Sequence, residues 1–304
     1  MTSKIEDILS GAGGQAIMPR ETVAEIWDKA HSTAVLPQIA KTIPAVIGET
    51  AVPYVAERPK AQIQGEREAT KASRATIGAK TFITRNVRVG VPVTQEALES
   101  DPAGSISKVK ELLAGALAEQ IDIAAIHGVS AVDLATVADA DTLASVTNSV
   151  ELGDIADASM DIWSGHGLVA GAGYNYSGLI ADPAFTSRLA NSRDAEGRRL
   201  HPEIGLGGTP SSFEGVPLLT TPHVSGAHLG IDSNLRAIGG DWSALYLAQG
   251  DTMRMSVVPY GDPLGTGRDM ASHREVALIL DTRLGWAIMD EAAFVKYVTP
   301  AVTP

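Results

Sequence analysis

The sequence has no cysteine among its 304 residues, which removes disulfides, thiolate metal sites and cysteine nucleophiles together. No stretch approaches the roughly 18 uncharged apolar residues that a membrane helix needs, so no membrane contact is expected. The opening Met1-Thr2-Ser3-Lys4-Ile5-Glu6-Asp7 lacks the apolar centre of a signal peptide, and the chain is expected to stay where it is made. Aromatic residues are scarce at 5%, thin for a carbohydrate or single-strand nucleic-acid platform. Basic residues are outnumbered too. The 24 Lys and Arg against 36 Asp and Glu give a formal charge of −12, which argues against a dedicated duplex-binding surface, because that affinity comes mostly from neutralising phosphates. What remains, 44% apolar and 20% charged, is the composition of one large globular domain or two ordinary ones.

Catalytic signatures are also missing. There is no GxSxG elbow, HExxH pair or GK[ST] phosphate loop. Gly165-His166-Gly167-Leu168-Val169-Ala170-Gly171 misses the third glycine of a dinucleotide loop by one place and follows helix-like sequence, so it is read as a glycine-rich turn. Among the histidines (31, 127, 166, 201, 223, 228 and 273), His223 and His228 alone are close, and their spacing across a Ser-Gly turn suits no standard ligand geometry. Asp139 and Asp141 lack the further ligands that a hard cation needs, and a solvated loop is the plainer reading. No catalytic residue, cofactor or metal is therefore expected. A triad assembled from distant positions would leave no such trace, which keeps a soluble α+β enzyme as a competing reading.

The pattern that is present has direction. A flexible Gly-Ala-Gly-Gly-Gln-Ala (11–16) precedes a short helical pattern over 19–27, with Val23, Ile26 and Trp27 on one side. From Ala34 to Val55 short apolar bursts suit extended arm and strand segments. Residues 56–80 carry few large apolar side chains beyond Ile63 and Ile77, too few to offset their ordering entropy. Yet both flanks read as strand, and beyond the tip Val87, Val89, Val91 and Val93 alternate onto one face. Two strands joined by a long charged tip make a projecting hairpin, which is marginal alone in water. Such a tip is either a mobile solvated loop or is supported by another molecule. Arg58, Lys60, Arg67, Lys71, Arg74, Lys80, Arg85 and Arg88 stand against three Glu in this region, a local +5 that leaves −17 on the remainder. That polarity suits a basic arm of one copy lying over an acidic surface of the next.

Asp101-Pro102 then opens a long helix with an apolar stripe at Ile106, Val109, Leu113, Leu117, Ile121 and Ala124, which Gly128 can stop. A helix is expected across Leu152, Ile155, Ser159 and Ile162-Trp163, and another from Asp182-Pro183 to Asn191. Residues 193–198 read as a turn. Strands are expected at 216–219, 227–231, 245–247, 253–258, 275–281 and 284–289.

This order of parts resembles the tailed-phage major capsid proteins of the HK97 fold. The residues that carry the likeness are Val-Arg-Val-Gly-Val-Pro-Val-Thr-Gln-Glu-Ala-Leu-Glu-Ser-Asp (87–101), the helix end Glu119-Gln120-Ile121-Asp122-Ile123-Ala124-Ala125-Ile126-His127-Gly128, Gly240-Asp241-Trp242-Ser243, Ala277 to Gly285, and Ala293-Phe294-Val295-Lys296. The resemblance spans about residues 16–298. It implies an α+β HK97-like capsid fold: an N-terminal arm (1–33), the start of a peripheral domain (34–50), an extended E-loop hairpin (51–93), a spine helix of the peripheral domain (94–129), an α/β axial domain (130–235), and C-terminal strands shared by the two domains (236–304). The implied function is a shell subunit forming pentamers and hexamers of an icosahedral head around double-stranded DNA, held without sequence-specific contacts. Its partners would be further copies of itself, a separate scaffolding protein, a portal and, where one is used, a decoration protein. The implied location is the virion, after assembly in the host cytoplasm. An encapsulin-type nanocompartment shell is the alternative on the same fold. Some members cross-link a hairpin Lys to an Asn near the final strands. Here the matching places hold Arg274 and, for the assisting carboxylate, Asp281, and no Asn follows Asn234, so no isopeptide bond is expected. Reversing Arg67, Arg74 and Arg85 to Glu is expected to block assembly of a folded subunit.

Overall fold

The computed structural model describes residues 16–17, 26, 29–30, 33–46, 48–57, 59–63, 73–100, 105–153, 158–194, 196–202, 204, 212–250 and 254–300. Most of the expected N-terminal arm, with its helix over 19–27 apart from Ile26, lies outside these residues, as do Arg58, Arg67 and Lys71 of the hairpin.

The organising element is a long strand, β13 (Glu275–Ile288). Its even-numbered apolar residues, Val276, Leu278, Leu280, Leu284, Trp286 and Ile288, join one buried cluster, as period-two alternation dictates. Two separate strands were expected here. They are one, because Thr282 and Arg283 interrupt the apolar pattern without leaving the ladder: they pair with Val87 and Asn86 of the neighbouring strand. On one side β13 pairs antiparallel with β5 (Arg85–Thr94); on the other it pairs with β12 (Arg254–Val258) and β11 (Leu245–Gln249). Two short strands complete this sheet, β1 (Ala16–Ile17) along β12 and β2 (Lys41–Pro44), parallel to β11.

Over the sheet lies the longest helix. Short helices precede it, among them α1 (Leu36–Ile39), a single turn within the stretch expected to be extended, and α2 (Gln95–Ser100), directly after β5. The long helix is α3 (Ser105–His127), roughly 35 Å in length at 1.5 Å per residue. Leu113, Leu117, Ile121 and Ala124 are buried as the stripe anticipates, and Val109 is partly so. Gly128 ends the helix in the left-handed region (φ 69°), with its N–H returned to the Ala124 carbonyl.

The second sheet runs in the order β6 (Ser149–Glu151), β14 (Phe294–Val298), β10 (Leu235–Gly240), β7 (Gly178–Ala181), β9 (Val216–Thr220), β8 (Ser212–Phe213). Helices α4 (Ser159–Gly171) and α5 (Pro183–Ala190) pack on it. Asp182 caps α5, its carboxylate accepting from the Ala184 N–H at 3.1 Å, with Pro183 in the first turn. Three expectations fail in this region: the helix expected across Leu152 begins at Ser159, since the Leu152 N–H is held by the Val298 carbonyl next to β6. The Gly165–Gly171 segment is helix interior and not a turn, because Gly165 sits against the Tyr297 ring: a Cβ there would lie 2.1 Å from the tyrosine hydroxyl. Ala227–Ile231 is no strand but a 3₁₀ turn (Ala227–Leu229) between two left-handed glycines, Gly226 (φ 63°) and Gly230 (φ 80°), which close the backbone on itself.

Candidate assembly surface

A two-stranded sheet stands apart from the others: β3 (Glu49–Glu57) and β4 (Thr76–Ile83), antiparallel, in register from Glu49↔Ile83 to Val55↔Ile77 with a bulge between Val55 and Glu57. Its base is anchored. Val52 and Phe82 are buried with Ala248 and Ala287, and Gly285 leaves room for the Phe82 ring, since a Cβ there would lie 2.9 Å from it. Thr84 fastens the corner by donating its N–H to the Gly48 carbonyl at 3.1 Å.

Away from the base the described residues of the hairpin form no core. Tyr54 lies across Gly78 on the opposite strand, and both its ring and Val55 remain exposed. Ile77 is 74% exposed and Ile63 fully so. At the tip the Lys60 N–H donates to the Ser73 hydroxyl at 2.6 Å. Burying these side chains would be worth about 1.5–3 kcal/mol apiece, and nothing in the described part of the subunit does so.

The basic residues divide into two groups. Lys60 and Arg74 are exposed near the tip. Lys80, Arg85 and Arg88 turn back on their own subunit. Lys80 Nζ donates to the Ile288 carbonyl at 2.6 Å and pairs with Asp141 at 2.7 Å. Arg85 donates to the Ala138 carbonyl and lies 5.9 Å from the Trp286 ring centre. Arg88 pairs with Asp281, its register partner on β13, at 3.3 Å. Asp141 also accepts from the Ile288 N–H at 3.2 Å, so it is a structural carboxylate at the hairpin base.

On α3 lies a polar group that sequence reasoning did not assemble. Asp122 of α3 is fully buried; its carboxylate accepts from the N–H groups of Val35 and Leu36 and contacts His223 Nδ1 at 2.9 Å. One turn away Glu119 meets His228 Nε2 at 2.8 Å, and the two imidazoles lie 5.4 Å apart at 34°. His127 faces the other way, towards the carbonyls of His223 and Val224, and burial lowers its pKa. The spacing that looked unsuited to ligation along the chain is closed in space by the αL glycines.

A family model described as the phage capsid family matches residues 14–299. The chain belongs to the phage capsid family. A curated relative described as the probable major capsid protein gp17 of Mycobacterium phage D29 is 20% identical over 284 residues, covering 90% of this chain and 87% of its own. Among solved structures, one from Gordonia phage Cozz is 35% identical with a TM-score of 0.78, covering 88% of this chain and 87% of that one. Another, from Mycobacterium phage Ogopogo, is 26% identical with a TM-score of 0.77, over 88% and 92%.

This capsid protein has the HK97-like fold, and it is a structural component of the virion and not an enzyme. The matches favour a phage major capsid protein over a nanocompartment shell. The Glu119–Asp122 and His223–His228 spacings were the available signal for this polar cluster, and no pattern in the sequence joins them across more than a hundred residues.

Proposed function

We propose that this capsid protein self-assembles into pentamers and hexamers of an icosahedral head enclosing double-stranded DNA, and that its hairpin lies over the neighbouring copy. The observation that supports this is the exposure of four apolar side chains, Val55 and its register partner Ile77 on one face of the two-stranded sheet, Tyr54 on the other and Ile63 beyond the strands, covered by nothing in the described residues of their own subunit. A neighbour's surface would bury these side chains, and the basic residues Arg58, Lys60, Arg67, Lys71 and Arg74 would meet the acidic remainder of the next copy. Lys80, Arg85 and Arg88 would contribute by holding the base at a fixed angle. In this reading residues 34–50 and 94–129 belong to the peripheral domain, 51–93 form the E-loop, 130–235 the axial domain, and the strands of 236–304 are shared by the two domains. Assembly takes place in the host cytoplasm with a scaffolding protein and a portal.

Because Arg85 serves its own fold, a test of assembly should leave it intact. The double variant Lys60→Glu/Arg74→Glu should melt like the parent yet give few particles by electron microscopy, and the parent's yield should fall as salt rises. Undiminished particle yield from a folded double variant would remove the charged tip from assembly.

A further inference from the structure

We propose that Glu119, His223 and His228 form a binding site for a divalent transition-metal ion of the zinc type, which clasps the 221–230 loop to α3. One ligand atom from each residue lies within 4.8 Å of the others. In a tetrahedral site with bonds of roughly 2.1 Å such atoms stand about 3.4 Å apart, so loading requires a closure of roughly an ångström. His228 can supply it, being on a 3₁₀ turn between Gly226 and Gly230.

The surroundings are those of a ligand set. Asp122 engages His223 Nδ1 at 2.9 Å, which leaves Nε2 for a metal. Asp122 is itself fixed by the N–H groups of Val35 and Leu36, so the imidazole is held by a rigid buried carboxylate. His228 Nε2 must give up the proton shared with Glu119 before ligating; it passes to Nδ1 or to solvent. Two imidazoles and one carboxylate suit Zn²⁺ and its neighbours better than Mg²⁺ or Ca²⁺, which prefer all-oxygen shells. His228 is exposed, so water can complete the coordination. The alternative is two independent histidine–carboxylate hydrogen bonds that need no ion.

The test uses the full chain, stripped with a chelator and titrated with Zn²⁺ by calorimetry and thermal melting. One equivalent should bind, and zinc at a hundredfold above its Kd should raise Tm by roughly 5 °C. Both effects should vanish in His228→Ala and in Glu119→Gln. Absence of binding in the parent, or equal binding in the variants, overturns the site. Should either variant fail to fold, Co²⁺ added to the parent decides: intense visible bands of a four-coordinate ion support the site, and a spectrum no stronger than that of aqueous Co²⁺ overturns it.

Discussion

Strands β4 and β5 follow one another, separated by Thr84 alone, yet they have opposite fates. In β5, Val87, Val89, Val91 and Val93 pack against the main core, because β13 supplies a full ladder and α3 covers the face. In β4, Ile77 stays in solvent and Phe82 alone is buried, because among the described residues β3 is its one ladder partner and no helix lies above. Alternation therefore specifies which face could be buried, and the neighbouring elements decide whether it is. A hairpin left uncovered by the described residues is the surface that the proposed neighbouring copy would complete.

The largest expected effect tests the interior side of this contrast. Asp122→Ala removes the acceptor of two backbone N–H groups and the partner of His223, and should cost about 3–5 kcal/mol in denaturant unfolding. A loss under 1 kcal/mol would show that the α3 junction does not anchor the fold. Next comes the boundary. Phe82→Ala should cost about 3 kcal/mol, felt locally as roughly hundredfold faster amide exchange over 76–83 with β5 unchanged. Equal acceleration in β5 would mean that the two strands open together and the contrast is false. The smallest effect lies at the tip. Ile77→Ala should alter the isolated subunit's stability by no more than about 0.5 kcal/mol while lowering particle yield. A clear destabilisation of the free subunit would show that the hairpin has cover of its own.

Much of this was legible in the sequence. The α3 stripe, its stop at Gly128, the cap at Asp182-Pro183 and the Val87–Val93 face each rest on local rules, and local rules do not depend on what the chain meets later. The misreadings have a common cause. Gly165 resembled a turn because the ring that requires its small size belongs to Tyr297, far along the chain. Ala227–Ile231 is apolar enough for a strand, but its flanking glycines adopt left-handed backbone, and composition cannot report that choice. β13 appeared divided at Thr282-Arg283, although main-chain hydrogen bonding ignores side-chain polarity. The basic residues read together as one arm; their division into tip and base depends on Asp141, Ala138 and Asp281, which no spacing links to them.

The length of β13 has a mechanical consequence. At about 3.4 Å per residue its 14 residues reach roughly 45 Å, and they bond to β5 along one edge and to β11 and β12 along the other. A pull along that axis loads many backbone bonds in shear at once, whereas a pull on the isolated β3–β4 pair can peel its rungs one by one. Stress in a finished particle would be carried along this girder, and the outlying finger would bend first.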